Sequence, residues 1–435
     1  MIKKLGIVFL IFCLLLTPFL GGCWDKRELQ NIGVVHSFGL DLIPEEERQN
    51  DEGILVTVEI VDVLTGTGLE GSKIFSASGQ TVLDAMRNLS NKMERQLFVG
   101  ICKELVLGKS IVDDGANKYI DYFYRDENID NNIYINVAQG AAKDLMNGQS
   151  GITSFSSIGR MDMLDHQKQN STGKINSITL SKYVQRILKD KQAVILPMAG
   201  LFPAEDTQQT QDPSKQGGGA QIKGNKQSAQ GSGASQREGE KSQAKQNVYF
   251  IGMAVLDDNG RFVDTLMDHD EQLGTLIWQG KSVDFILPID TGENGSKLGL
   301  EIIRFNLSKK WRQTEQGLKL EAELHVTGNF MEELGPSSSY ATIKDNVKLN
   351  EICSKTLENI LQKSWQKALQ LEQDYLLAGD SMYKYKNKLW QSVKNDWPAA
   401  MRDVELEITV KSKISFLSNY NNSIWKIDLT NHPYK

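Results

Sequence analysis

Histidine and cysteine are scarce, five and four among 435 residues, and neither is arranged for chemistry. No HxxxH or HExxH pair occurs to put two imidazoles on one helix face for a zinc ion. GxSxG, which presents a nucleophilic serine on a sharp strand-to-helix turn, is missing, and so is the P-loop with its phosphate-cradling glycines. Basic charge is not in excess: 49 Lys and Arg face 55 Asp and Glu, a net charge of −6. That balance argues against nucleic acid and against a broad basic face lying on anionic lipid. Long apolar runs are missing as well, with one exception at the very start.

That exception reads as a processing signal. Lys3 and Lys4 form a positive n-region, residues 5–20 an uncharged apolar h-region, and Leu20-Gly21-Gly22-Cys23 puts small residues at a cut site directly before a cysteine. A lipoprotein signal needs Cys as the first mature residue, because its thiol receives the diacylglyceryl group. The run is shorter than the roughly 20 residues a membrane-crossing helix needs, and Pro18 disturbs it near its end. Cleavage after residue 22 removes two lysines and no acid, taking the charge from −6 to −8. Two acyl chains, at about 0.8 kcal/mol per buried CH₂, anchor stably where one does not. Cys23 is therefore the expected lipidation site. Cys102 and Cys353, far apart and each among apolar neighbours, read as buried thiols rather than a pair.

Along the mature chain, residues 54–64 (ILVTVEIVDVL) form a strand by β-branching and partial alternation. A second strand at 72–78 is placed to pair with it. The spacing of Val82, Leu83, Met86 and Leu89 predicts a helix over 81–92. A strand at 97–107, a helix at 111–124 and a strand at 133–138 follow. Residues 150–177 are polar with little periodicity. A stretch of Gln, Gly, Ser and Lys from about 205 to 246 has almost nothing to bury and is expected to be disordered, as a linker or as a long insertion in a hairpin loop. Strands at 248–256 and 261–266 flank Asp258-Asn259-Gly260, a turn signal because Asn-Gly accepts positive φ. Two more strands (298–309, 318–328), a long helix over 348–375 with Gly379 as its stop, and a strand at 404–414 complete the pattern. The expected class is α+β: two to three mixed sheet-helix domains, a long helix in the C-terminal half and a lipid-anchored N-terminus. The expected division is 1–22 signal peptide, 23–203 N-terminal α+β domain, 204–247 low-complexity linker or insertion, 248–285 a hairpin region that could form a middle domain with 190–203, and 286–435 a C-terminal α+β domain.

Two motifs invite a chemical reading. Gly66-Thr67-Gly68-Leu69-Glu70-Gly71 follows a strand, but a dinucleotide site needs this turn to open a helix, and a strand pattern comes next. A hairpin loop is the better reading. Asp257, Asp258, Asp264, Asp268, Asp270 and Glu271 surround His269 without EF-hand spacing and read as a solvated acidic edge. His166, in a polar loop, reads as a surface residue. No catalytic, metal or cofactor site is expected.

The start Cys23-Trp24-Asp25-Lys26-Arg27-Glu28-Leu29, followed by Asn31-Ile32-Gly33, resembles the Ger(x)C family of spore-germination lipoproteins. Ser78-Gly79-Gln80-Thr81, Leu97-Phe98-Val99-Gly100, Arg125-Asp126 and Ala138-Gln139-Gly140 follow in the family's order. So do Gly252-Met253-Ala254-Val255, the segment from Gly274 to Lys281 around Trp278, and Trp390 and Trp397. The chain departs from the family at Asp374-Tyr375-Leu376-Leu377-Ala378-Gly379, where a phenylalanine-glycine pattern is commoner, and in its long Gln/Gly/Ser stretch. The resemblance implies a non-enzymatic C subunit of a germinant receptor. Such a subunit is lipid-anchored on the outer face of the spore inner (cytoplasmic) membrane, beside integral-membrane A and B type subunits, and acts in nutrient-triggered germination. A small-molecule nutrient is a further candidate ligand, and nucleic acid is not. The alternative is a lipid-anchored solute-binding protein that delivers a nutrient to a permease.

Overall fold

The computed structural model describes residues 6, 32–61, 72–148, 160, 177–190, 192–203, 246–281, 284–291, 296–335 and 346–416. The first half contains β1 (Ile32–Leu42), β2 (Ile54–Val61), β3 (Ser72–Gly79), α1 (Val82–Asn91), β4 (Gln96–Phe98), β5 (Glu104–Leu107), α2 (Lys109–Asp114), α3 (Asn117–Arg125), β6 (Tyr134–Ala138), α4 (Ala142–Asn147), β7 (Ile178–Thr179), α5 (Leu180–Asp190) and β8 (Val194–Pro203). The second contains β9 (Gln246–Leu256), β10 (Phe262–Leu266), α6 (His269–Trp278), β11 (Phe285–Asp290), β12 (Lys297–Thr314), β13 (Gly317–Leu334), α7 (Asn346–Leu371), α8 (Ala378–Tyr385), α9 (Asn387–Val393), α10 (Trp397–Arg402) and β14 (Glu405–Phe416).

These strands make two mixed sheets. The larger runs β10-β9-β8-β6-β5-β1-β2-β3, with β4 on β1 and β7 on β6. Its centre is parallel (β1 with β5, β5 with β6, β6 with β8) and its flanks are antiparallel. The smaller runs β11-β12-β13-β14, with β14 parallel to β13. β8 and β9 are antiparallel neighbours from Val194↔Leu256 to Pro203↔Gln246, so the low-complexity stretch joins two adjacent strands of one sheet. Its expected disorder concerns residues outside those described.

Burial explains the strand compositions. β2 turns Val56, Val58 and Ile60 to a core they share with α1, α2, α3 and α5, while Thr57 and Glu59 face the other way. α4 covers that other face with Ala142, Leu145 and Met146 against Val106, Ala138, Ala199 and Val248. In β8, Val194, Leu196 and Met198 enter the first core, whereas Ile195, with Ala193 just before the strand, enters a third, shared with α6, α7 and the smaller sheet. A strand covered on both faces can be apolar throughout, as VILPMAG is.

Three expected elements differ. The strand expected over 97–107 is two, β4 and β5, because the chain leaves β1 after Phe98 and returns at Glu104. The helix expected over 111–124 is broken into α2 and α3 at Gly115, whose φ of 105° is open to glycine at little cost. There Ala116 N donates to Gly260 O (3.0 Å), and Asn117 Nδ2 to Asp258 O (2.9 Å). The Asp-Asn-Gly turn between β9 and β10 thus forms as expected and also wedges into the break. The long helix ends at Leu371 rather than near Gly379, with Glu372 left-handed at φ 56°. Gly379 lies inside α8, where a Cβ would come within 2.7 Å of Trp390. It is glycine for packing and stops no helix. Cys102 and Cys353 are free thiols in separate cores, and burial pushes both up to about 12.

Candidate docking face

Three of the segments that carry the family resemblance meet on the helical side of the larger sheet. Ser78-Gly79-Gln80-Thr81 connects β3 to α1. A Cβ on Gly79 would lie 2.3 Å from Ala85 N, so the helix can start this close to the strand only over a glycine. Thr81 Oγ1 accepts from Asp84 N at 3.1 Å, and Asp84 Oδ2 accepts in return from Gln80 N at 2.9 Å, a reciprocal cap. Held this way, α1 buries Val82, Ala85, Met86 and Leu89 and leaves Leu83 46% exposed.

α3 lies between α1 and α5. It buries Tyr119, Ile120 and Phe123, the last with its ring edge-on to Phe38 at 5.1 Å. Its outer turn carries Tyr124 and the pair Arg125–Asp121, Nε to Oδ2 2.6 Å. The second half of the Arg125-Asp126 motif ends the helix: Asp126 accepts from Asn128 N at 3.0 Å and from the Tyr122 hydroxyl at 3.1 Å. Burial, aided by the Asp126 charge, pushes the Tyr122 phenol up to about 12, so it stays a donor across physiological pH. Leu97-Phe98-Val99-Gly100 forms the third side and carries Phe98 outward, followed by Ile101, both nearly half exposed.

Grooves run along both flanks of α3. Between α1 and α3, a cavity of about 520 Å³ is lined by Thr81, Leu83, Tyr119, Tyr122 and Arg125. It adjoins one of about 490 Å³ between α1 and the β4–β5 connection, with Leu83, Tyr122 and Asp126 common to both. Between α3 and α5, a third of about 370 Å³ is lined by Ile120, Tyr124, Val184, Ile187 and Leu188, the last 75% exposed. Aromatic and aliphatic anchors inside a charged rim are the chemistry of a protein-binding surface.

The other segments flagged in the sequence serve packing. Ala138-Gln139-Gly140 closes the far end of the sheet, where buried Asp41 accepts from Ala142 N (2.7 Å) and Lys143 N (2.9 Å). Burial raises the Asp41 carboxyl despite those two donors. Gly252 passes 2.4 Å from Leu266 O, and Gly274 2.3 Å from Ser364 Oγ, measured from the Cβ each lacks. Trp278 donates to Leu361 O at 3.1 Å and packs 5.4 Å from Trp365. Asp374 gathers Ala378 N (3.0 Å), Gly379 N (2.6 Å) and the Trp397 indole (2.8 Å), and Trp390 and Trp397 stack against this turn.

Asp257 and Asp258 of the acidic edge hold the turn, accepting from Asn259 and Arg261, and others pair with lysines of α7. Asp264 pairs with Lys367 at 2.6 Å and Asp268 with Lys363 at 2.7 Å, while Asp268 also caps α6. The hydrogen bond from Lys363 holds the Asp268 carboxyl below the usual range. His269 sits 3.6 Å from Asp270. Among the described residues, no three His, Cys, Asp or Glu side chains converge as a metal site needs. Cys23, His166 and Gly66-Thr67-Gly68-Leu69-Glu70-Gly71 lie outside the described residues.

Two charge sites, one fully buried and one partly buried, have no counterpart among the residues expected from the sequence. On the sheet face away from α3, Glu59 and Glu104 both stand opposite Ser37. Arg160 crosses to Glu104 with two bonds, Nε–Oε1 2.8 Å and Nη2–Oε2 2.5 Å, and Asn136 Nδ2 adds a third at 2.9 Å. All of these side chains are fully buried. In the smaller sheet, Lys309 lies over the Trp278 ring (5.5 Å) and donates to Leu376 O at 3.3 Å. Burial pulls its ammonium down to about 8, against Asp374 and Asp380, which raise it. Acids at inward positions of apolar strands, as in ELVL and ILVTVEIV, are the pattern that marks the first site.

Residues 25–201 match the family described as "Spore germination protein N-terminal domain", and residues 251–416 match "Spore germination B3/ GerAC like, C-terminal". The chain belongs to the GerAC/GerBC-like family of spore germination proteins. Among its relatives, "Spore germination protein KC" of Bacillus subtilis (strain 168) is 20% identical over 98% of this chain and 97% of its own length. "Spore germination protein A3" of the same organism is 28% identical over 33% of this chain and 38% of its own. The crystal structure of the GerBC protein superposes with a TM-score of 0.47 at 16% identity, covering 87% of this chain and 97% of the other. Family membership thus rests on sequence matches that span both sheets. Among the described residues, no helix is long and apolar enough to cross a membrane.

Proposed function

We propose that this family member is the lipid-anchored, non-enzymatic C-type subunit of a spore germinant receptor. Cys23 carries the diacylglyceryl anchor, the chain lies on the outer face of the spore inner membrane, and it works beside integral-membrane A and B type subunits. The observation that carries the reading is the run of family matches over 25–201 and 251–416, preceded directly by Leu20-Gly21-Gly22-Cys23. The docking face supports it. Leu83, Phe98, Ile101, Tyr124 and Leu188 are large apolar side chains exposed around α3, and the first four lie on or beside segments that carry the family pattern. Its occupant in this reading is the exposed surface of an integral-membrane receptor subunit.

Replacing Cys23 with Ala tests the anchor. With no thiol to acylate, the chain is expected to move from the membrane pellet to the soluble fraction, and spores carrying it are expected to lose most of their response to nutrient. A Cys23→Ala chain that still pellets with membranes, in spores that germinate normally, would overturn the assignment.

A further inference from the structure

We propose that the pocket at the N-terminal end of β1 binds the phosphate of an anionic phospholipid headgroup, so that this end of the protein rests on the membrane that Cys23 anchors it to. The inference builds on the Cys23 reading and adds an orientation to it. The pocket, about 310 Å³, has a floor of Ile60, Phe75 and Met93 and a rim of Lys73, Lys92, Glu94 and Arg95. Three cations face one acid there, on a chain whose overall charge is −6. Lys73 and Lys92 are solvent-exposed, and no ion pair engages either among the described residues. The carbonyls at the end of α1 do not oppose an anion strongly: Leu89 O accepts from Lys92 N at 3.0 Å, and Ser90 O from Met93 N at 3.3 Å.

Chain connectivity places this pocket beside the bilayer. β1 begins at Ile32, whose neighbour in β4 is Gln96. One residue along, Gly33 lies with its virtual Cβ 3.8 Å from the Arg95 side chain and 3.5 Å from Ile60. Lys73 in β3 stands opposite Ile60 in β2. The pocket therefore lies beside the first described residues of β1. From Cys23 to Ile32 the chain has nine links, which reach roughly 30 Å at full extension. A tether this short keeps headgroups at high local concentration around that end, while the other end of β1 stands about 35 Å further off. One small basic pocket is compatible with an acidic chain, whereas a broad basic face is not.

The test uses the full mature chain with Cys23→Ser, so that no acyl group contributes to binding. It is sedimented with vesicles of equal parts phosphatidylglycerol and phosphatidylcholine, or of phosphatidylcholine alone. Binding is expected to the mixed vesicles only. Each lysine near an anionic surface contributes about fivefold, so Lys73→Glu with Lys92→Glu is expected to weaken binding at least about 30-fold. The same charge change at Lys355 and Lys388, exposed on α7 and α9, is expected to leave it within about twofold. Free glycerol phosphate at the same phosphate concentration is expected not to compete. Equal loss in both double variants, equal binding to phosphatidylcholine, competition by the free phosphate ester, or no binding at all would each overturn the proposal. Mass analysis of the mature terminus isolated from membranes decides the anchor separately, so failure of one does not pass for failure of the other.

Discussion

Replacing Arg160 with Met is expected to cost about 3–5 kcal/mol of folding stability, because it leaves a buried carboxylate without its counter-ion. Glu104 accepts two guanidinium bonds and one from Asn136 in a site closed to water. Glu59 shares the same face two strands away, where its partner from β1 is the Ser37 hydroxyl at 3.4 Å. The cation therefore offsets a field from two acids: burial pulls its pKa down, and the Glu104 and Glu59 charges more than restore it. Removing one member of a buried pair costs more than the pair contributes. The double variant Arg160→Met, Glu104→Gln keeps an acceptor for Asn136 and removes one charge with the other. It is expected to recover more than half of the loss. Urea unfolding of the three chains reads this directly, and an Arg160→Met chain as stable as wild type would contradict the network.

Lys309 acts with the opposite sign. Its ammonium is held in a site that lowers it to about 8, whereas an unfolded lysine titrates near 10.4. Below about pH 8 both states carry the proton and the folded state bears the full desolvation cost. Between about 8 and 10.4 the folded state releases the proton and the unfolded state retains it, so stability rises with pH across that window. The rise attributable to Lys309 is on the order of 3 kcal/mol at most. Lys309→Met removes it. At neutral pH the variant gains the relieved desolvation but loses the bond to Leu376 O and the contact with Trp278, so the slope is the quantity to read. Wild type is expected to gain on Lys309→Met as pH rises from about 8 to about 10, and parallel curves would contradict the assignment.

Local pattern made much of the fold legible. β-Branching marked β2, Asn259-Gly260 marked the β9–β10 turn, and the spacing of Val82, Leu83, Met86 and Leu89 marked α1, although Leu83 proves to be exposed, since each depends on neighbours a few residues apart. What was not legible depends on distant partners. Arg160 reaches Glu104 across 56 residues, from a polar stretch with no period of its own. β8 finds β9 across the low-complexity stretch, and β5 is a parallel strand of four residues, ELVL. Gly379 had the look of a helix stop because glycine often ends helices, yet its small size is used against Trp390. The docking face was half visible. Its segments carried the family pattern, but that they meet around α3 follows only from the parallel order of β1, β5 and β6, which puts α1 and α3 on one side of the sheet.

The central claim is a membrane-held subunit that grips integral-membrane partners through the face around α3. Purification of the tagged chain from detergent-solubilised spore membranes tests it most directly. Integral-membrane germination proteins are expected to co-purify with wild type in fixed proportion. They are expected to be lost from a Leu83→Glu, Leu188→Glu chain that folds and stays on the membrane. A wild-type chain recovered alone, or a double variant that retains the same companions, would contradict it.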